Sequence, residues 1–208
     1  MTRPLVIGVA GGSGSGKTTL TRQIIAAAGG DGIAWIPYDA YYRDLADYPF
    51  AERQRMNFDH PDAFDTELCV AHLDQLCAGQ PVVVPEYDYV AYTRAVGGTL
   101  VMPQPVIIVD GILVFVAAAL RERFDLRVFV DADDDIRLLR RILRDTQERG
   151  RDVVSVCQQY LATVRPMHQQ FVAPSRTHAH VIVPSGDDTR PAIDLISGQI
   201  QRHIARLA

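Results

Sequence analysis

Apolar residues recur along the chain in two rhythms. Unbroken apolar runs of strand length lie at Leu5–Ala10, Ile33–Pro37, Gln104–Asp110, Arg127–Asp131 and His180–Pro184, the third being the strongest. Between them, apolar residues return every three or four positions, which predicts helices over Lys17 to about Ala28, Asp65–Cys77, Asp133–Gln147, Ser155–Phe171 and Ala192–Leu207. Gly29-Gly30-Asp31-Gly32 ends the first helix and Gly79 the second, for which Asp62 or Asp65 is the N-cap. Pro166 is expected to break or kink the fourth. Strands alternating with helices predict an α/β fold with a parallel sheet covered on both faces, the second strand beside the first. Residues 44–61 show no period and read as a loop or lid. Residues 82–102 follow a different pattern, in which Val82-Val-Val84, Tyr87-Asp-Tyr89 and Thr99-Leu-Val101, separated by Gly97-Gly98, predict a small antiparallel hairpin flap. No repeat or linker interrupts residues 1–208, so one domain is expected.

Composition narrows the class. The 48% hydrophobic and 22% charged fractions are ordinary for a globular protein. A net charge of −4 argues against general binding to nucleic acid or anionic membrane. Cys69, Cys77 and Cys157 form no C-x-x-C pair, no apolar run approaches the roughly 20 residues of a membrane helix, and Met1-Thr-Arg-Pro4 has no signal-peptide profile. A reduced cytoplasm is the expected setting. His178 and His180 form an H-x-H without a third ligand, so zinc is not expected.

The sharpest motif follows the first strand. Gly11, Gly12, Ser13, Gly14, Ser15, Gly16, Lys17 and Thr18, continued by Thr19, satisfy the phosphate-loop pattern in the strand–loop–helix setting it needs. Glycines let the backbone wrap a phosphate closely, and N–H groups at the following helix start point at the anion. Lys17, the only lysine among 21 basic residues, is a compact charge for the outer phosphates, and the Thr18 hydroxyl suits magnesium. Two strand-end carboxylates complete the expectation: Asp110 as a magnesium partner, and Asp39 as a proton acceptor near the metal.

Two further clusters bear on the acceptor. Seven of the eight tyrosines lie between Tyr38 and Tyr92, with Phe50, Phe58 and Phe64 among them, several in loop or flap segments where a packed core is not expected. Flat rings with hydroxyl tips suit a nucleobase, although Tyr87 and Tyr89 also fit one side of a plain hairpin. Arg137, Arg140, Arg141 and Arg144 fall within roughly a 100° arc opposite Leu138, Leu139, Ile142 and Leu143. Arg149 and Arg151 follow. A phosphate-closing lid is favoured over a solvated charged face.

Together these residues resemble the uridine–cytidine kinase family. The matching segments are Gly11–Thr19, Asp39–Arg43, Asn57–Asp65, Pro85–Tyr89, Asp110–Leu113, Arg140–Asp145, Glu148–Arg151 and Arg165–Met167. The resemblance implies a P-loop kinase-type sheet with a hairpin flap (about 82–102) and an arginine-bearing helical lid (about 134–165). It also implies transfer of the ATP γ-phosphoryl to the 5′-hydroxyl of cytidine or uridine in pyrimidine salvage, with Mg2+, by a homo-oligomer (a tetramer on this resemblance). On that reading Asp39 is the base, and Thr18, Asp39 and Asp110 surround the metal. Asp59 holds the ribose with Tyr42, Arg149 and Gln159; Phe58, Tyr87 and Tyr89 enclose the base; Arg141, Arg144 and Arg151 close over phosphates and substrate, beside Lys17. Tyr92 stands where the family often has a base-reading His, Asp110 where it usually has Glu, and Ser185 where a basic residue is expected. The rivals are a related kinase acting on a phosphorylated sugar, and a regulatory protein that binds ATP without an acceptor.

Overall fold

A computed structural model describes residues 3–186 and 188–207. Five parallel strands form the main sheet: β1 (Leu5–Gly11), β2 (Ile33–Pro37), β5 (Val106–Asp110), β6 (Leu126–Asp131) and β7 (Val181–Pro184), in the order β2-β5-β1-β6-β7. The helices cover both faces, as the alternating pattern predicts. Because successive side chains of a strand point to opposite faces, each apolar run feeds two cores. Val6 and Ala10 of β1 with Ile107 and Val109 of β5 join the core containing Leu73, Phe115 and Phe124. Ile7, Val9, Val106 and Ile108 face the other way, onto Leu20, Ile24, Ile196 and Ile200. Those last four belong to the phosphate-loop helix Lys17–Ala28 and the closing helix Arg190–Ala205.

The strand order corrects one expectation. β2 pairs with β5, in register Ile33↔Val106 to Pro37↔Asp110, and β5 lies between it and β1. Asp39 is therefore one strand further from the phosphate loop than chain order suggests, on a 3-10 turn (Tyr38–Tyr41) after β2. The second predicted helix runs Thr66–Cys77, with Asp65 as its cap: the carboxylate accepts from the Leu68 N–H at 3.1 Å.

The flap is present, built from β3 (Val82–Asp88) and β4 (Thr93–Val101), antiparallel. Its turn lies at 89–92, where Tyr92 takes φ 53°, and not at Gly97-Gly98, which falls inside β4 across from a register shift between Pro85 and Tyr87. A bulge in a strand tolerates glycine as readily as a turn does, which is why the pair misled. Residues 44–63 fold onto the flap. The Leu45 N–H donates to the Thr93 hydroxyl (2.9 Å), and Arg53 donates to the carbonyls of Ala46, Tyr48 and Ala91.

Two helical segments, hereafter the lid, occupy the stretch expected to form one. The first, Asp134–Gln147, is amphipathic in reverse: Arg137 (2% exposed), Arg141 (6%) and Asp145 (0%) face inward, while Leu139 (58%) and Leu143 (56%) face out. The second runs without a break from Val153–Gln159 through π-helical turns at Tyr160–Val164 and His168–Val172 to a 3-10 turn at Arg176–His178. Pro166 lies between the two π turns. The predicted break is absent, since wider turns absorb the missing N–H and the ring clash that a regular α-helix concentrates at one point.

Candidate active site

The phosphate loop leaves β1 through Gly11, and Gly16 in the left-handed region caps the helix that Lys17 opens. Gly14 (φ 79°) lies directly beneath the lid helix: a Cβ there would meet the Arg137 carbonyl oxygen at 2.2 Å. Only glycine allows that approach. The lid thus rests on the loop, and its side chains hold it there. Arg140 Nη1 donates to the Ser185 hydroxyl (2.6 Å), and Arg141 Nη1 donates to the Ser13 hydroxyl (2.9 Å).

The C-terminal ends of β2 and β5 bring two carboxylates toward Lys17. Asp110 is buried and accepts from the Thr18 hydroxyl (3.0 Å) and the Trp35 indole N–H (2.8 Å), one on each oxygen. Burial pushes the Asp110 carboxyl up from its ordinary range, and the charge of Lys17 opposes that shift. Burial likewise lowers the Lys17 ammonium, with Asp39 and then Asp110 working against it. Asp39 presents a buried Oδ1 with no hydrogen-bond partner. A buried carboxylate oxygen left without a donor is costly, and it stands ready for a donor brought by a ligand.

Lys17 and Asp39 line one cavity of about 630 Å³. Its lining brings together Lys17, Asp39 and Ser13, the rings of Phe58, Tyr87, Tyr89 and Tyr92, and the guanidinium groups of Arg141, Arg144, Arg149 and Arg151. Phe58 lies near-parallel to Tyr92 (centroids 5.8 Å, 27°) and edge-on to Tyr42 (5.5 Å, 87°). Buried Asp59 accepts from the Thr163 hydroxyl at 2.9 Å. Desolvation raises its carboxyl, and Arg141 opposes the rise. Burial also pushes the Tyr89 hydroxyl up to about 12, and that of Tyr42 well above its ordinary value. Both hydroxyls therefore remain protonated donors throughout the neutral range. Such a cavity suits an anionic chain beside Lys17, a flat ring between aromatic side chains, and a hydroxyl beside Asp39.

Comparison with known proteins agrees with this geometry. Residues 6–191 match the phosphoribulokinase/uridine kinase family. The chain is 51% identical over 205 residues to a uridine kinase of Chloroflexus aggregans, covering 99% of this chain and 98% of that one. It is 52% identical over 202 residues to a uridine kinase of Deinococcus deserti, covering 97% and 98%. The chain belongs to the phosphoribulokinase/uridine kinase family. It is accordingly a phosphotransferase of the nucleotide-binding P-loop class. Among solved structures, a putative fructose transport system kinase from Silicibacter shares the fold at 21% identity, with a TM-score of 0.69 over 88% of this chain and 90% of that one. Phosphoribulokinase from Rhodobacter spheroides shares it at 14% identity, with a TM-score of 0.62 over 88% and 70%.

Most of the family-implied residues converge on the cavity, with three refinements. Gln159 lines the cavity, but its Oε1 is taken by arginines, accepting from Arg141 (3.0 Å) and from Arg151. Arg149 lies over the Tyr89 ring, 4.6 Å from its centroid, and so bridges lid and flap. Tyr38, Tyr41 and Phe64, which belong to the tyrosine-rich stretch but not to the expected site, are fully buried in the core. Trp35 and Thr163 carried no sequence signal of their own, and Asp145 stood out only as the end of the family-matching segment Arg140–Asp145. An apolar strand residue, a helical threonine and one more acid beside a basic run each have commoner uses. Among the described residues no helix is long and apolar enough to cross a membrane.

Proposed function

We propose that this chain transfers the γ-phosphoryl of ATP to the 5′-hydroxyl of a pyrimidine ribonucleoside, cytidine or uridine, in salvage of pyrimidines. The observation that carries the proposal is a single cavity holding an aromatic slot, a buried carboxylate at Asp59 and the partnerless oxygen of Asp39 beside Lys17. A phosphorylated-sugar acceptor would call for cations where Phe58, Tyr87 and Tyr92 stand. A binding protein without an acceptor has no use for the slot.

Asp39 accepts the proton of the attacking hydroxyl, which supplies the donor that its buried Oδ1 lacks. Asp59 accepts from ribose hydroxyls, fixing the sugar so that its 5′ end faces Lys17. Phe58, Tyr87 and Tyr89 enclose the base, and the Tyr92 hydroxyl is offered to its edge. Lys17 and the N–H groups of Gly11–Thr19 hold the phosphates, while Arg141, Arg144 and Arg151 face the charge that shifts during transfer. The Thr18 hydroxyl, Asp110 and Asp39 form a hard, all-oxygen set of the kind magnesium takes, and Thr18 and Asp110 are already within 3.0 Å of each other. Magnesium there would neutralise charge on the outer phosphates. The same reading expects a cytoplasmic homo-oligomer.

Incubating the purified protein with ATP, magnesium and, separately, cytidine, uridine, adenosine and ribulose 5-phosphate tests the proposal. Formation of CMP or UMP with stoichiometric ADP is the expected result. Turnover of ribulose 5-phosphate alone, or of no acceptor, would overturn it.

A further inference from the structure

Asp145 is the most deeply buried carboxylate of the lid, and neither substrate binding nor proton transfer uses it directly. It has no solvent exposure, yet four guanidinium groups reach it. Arg144 donates to Oδ1 through Nε (2.9 Å) and lies 2.8 Å away through Nη2, and Arg149 Nη1 stands 3.6 Å from the same oxygen. On the other oxygen, Oδ2, Arg141 Nε lies at 3.5 Å and Arg151 Nη1 at 3.8 Å. These four arginines belong to the lining of the cavity. The backbone closes the arrangement, since the Arg151 N–H donates to the Asp145 carbonyl at 3.0 Å across the turn at Gly150 (φ 62°).

A lone carboxylate without solvent is expensive, and partners of opposite charge in good geometry are what make one tolerable. The reverse holds as well. Four guanidinium groups crowded together repel one another, and without a central anion each gains by turning into water. Oδ2 and Arg141 Nε are both buried without a hydrogen bond and only 3.5 Å apart. The hub is thus filled on the Oδ1 side and one short movement from filled on the other. Arg149 extends it to the flap through its stack on Tyr89.

We propose that Asp145 is a positioning residue for phosphoryl transfer: its carboxylate holds Arg141, Arg144, Arg149 and Arg151 as one fan aimed into the cavity. The proposal rests on the kinase reading for what the fan acts upon, but the holding role itself does not depend on the acceptor. Asp145 touches no reacting atom and acts only through the arginines.

The test uses Asp145→Asn, which keeps the shape and removes the charge, and Asp145→Glu, which keeps the charge. Misplacement of about 1 Å among positioned groups costs on the order of a hundredfold in rate. Asp145→Asn should therefore lose about that factor in kcat with nucleoside KM changed less than about threefold, and Asp145→Glu should recover most of the loss. In an Arg144→Ala background, Asp145→Asn should cost much less than it does alone, because residues acting through one another are not additive. An unchanged kcat, equal losses in both variants, or additive effects with Arg144→Ala would each overturn the role. Limited trypsin digestion supplies a readout independent of any acceptor: cleavage after Arg149 and Arg151 should be at least about tenfold faster in Asp145→Asn than in the parent at a temperature where both are folded. Equal cleavage rates would overturn the fan. Should the asparagine protein fail to fold, Asp145→Glu decides: kcat near the parent's supports the proposal, and a hundredfold loss at unchanged Tm overturns it. A parent enzyme inactive on every nucleoside would sink the functional reading alone, with the tryptic comparison still deciding Asp145.

Discussion

The phosphate-loop helix and the lid helix have similar lengths and opposite solutions to the same problem. Lys17–Ala28 turns Leu20 and Ile24 onto the sheet and leaves Arg22 and Gln23 in water. Asp134–Gln147 turns arginines and a carboxylate inward and leaves leucines outside. Hydrophobic periodicity reports that a helix has two unlike faces; it does not report which one faces the protein. The first helix uses burial for cohesion. The second uses it to hold charge out of water, where a guanidinium acts on a phosphoryl group far more strongly than at a solvated surface. Contacts in the lid are therefore ionic and directional, whereas those under the sheet are apolar and cumulative.

That contrast can be broken in several ways, beginning with the largest expected effect. Asp39→Asn should lower kcat by about a thousandfold, within the usual range for loss of a positioned base, while ATP binding measured by calorimetry and Tm stay close to the parent's. Near-normal turnover would remove Asp39 from the chemistry. Leu73→Ala, in the core under the sheet, should cost about 2–5 kcal/mol of stability in urea denaturation. Leu143→Gln, on the outward lid face, should lie within about 0.5 kcal/mol of the parent. A large loss for Leu143→Gln would mean that the lid's apolar face is buried against something, a second copy of the chain included.

A smaller effect concerns pH. Burial raises the Asp59 carboxyl, so the folded protein holds that proton more tightly than the unfolded chain does. Between the ordinary carboxylate value and the raised one the native state binds more protons, and the stability contributed by Asp59 falls as pH rises through that window. Asp59→Asn should consequently raise Tm by a few degrees at pH 7, with no gain below the unfolded carboxylate value, and should weaken nucleoside binding. A lowered Tm at neutral pH would mean that the pairing with Arg141 outweighs desolvation. Smallest of all, Tyr92→His should alter the ratio of uridine to cytidine kcat/KM with little effect on stability. An unchanged ratio would exclude Tyr92 as a reader of the base.

Much of the scaffold was legible because strand runs and helical periods are local. All five strands of the sheet and the phosphate loop follow from neighbouring residues, and the structure places them there; for the cap of Thr66–Cys77 the neighbours offered Asp62 or Asp65, and the structure selects Asp65. What was illegible depends on contacts distant in sequence. The position of β5 between β1 and β2 cannot be read from chain order. That the arginine face of Asp134–Gln147 turns away from solvent was the favoured expectation, but the partners that hold Arg141 there, Ser13 and Gln159, lie outside its own helix. The tyrosine-rich stretch divides between core and cavity at Tyr42, whose ring packs on Phe64 on one side and Phe58 on the other. No local pattern marks that boundary.

The solitary lysine has a practical side. Because Lys17 is the chain's single lysine and burial lowers its ammonium, amine-directed reagents meet one side-chain target, and it lies in the phosphate loop. Acylation of that amine, followed by mass spectrometry of the intact chain, becomes an occupancy gauge for the nucleotide site: a bound polyphosphate shields the amine, and an empty loop leaves it nucleophilic. In most proteins such labelling is blurred by many surface lysines. Here arginine has taken the other strongly basic positions, so only the α-amine remains to be told apart from Lys17, by peptide mapping.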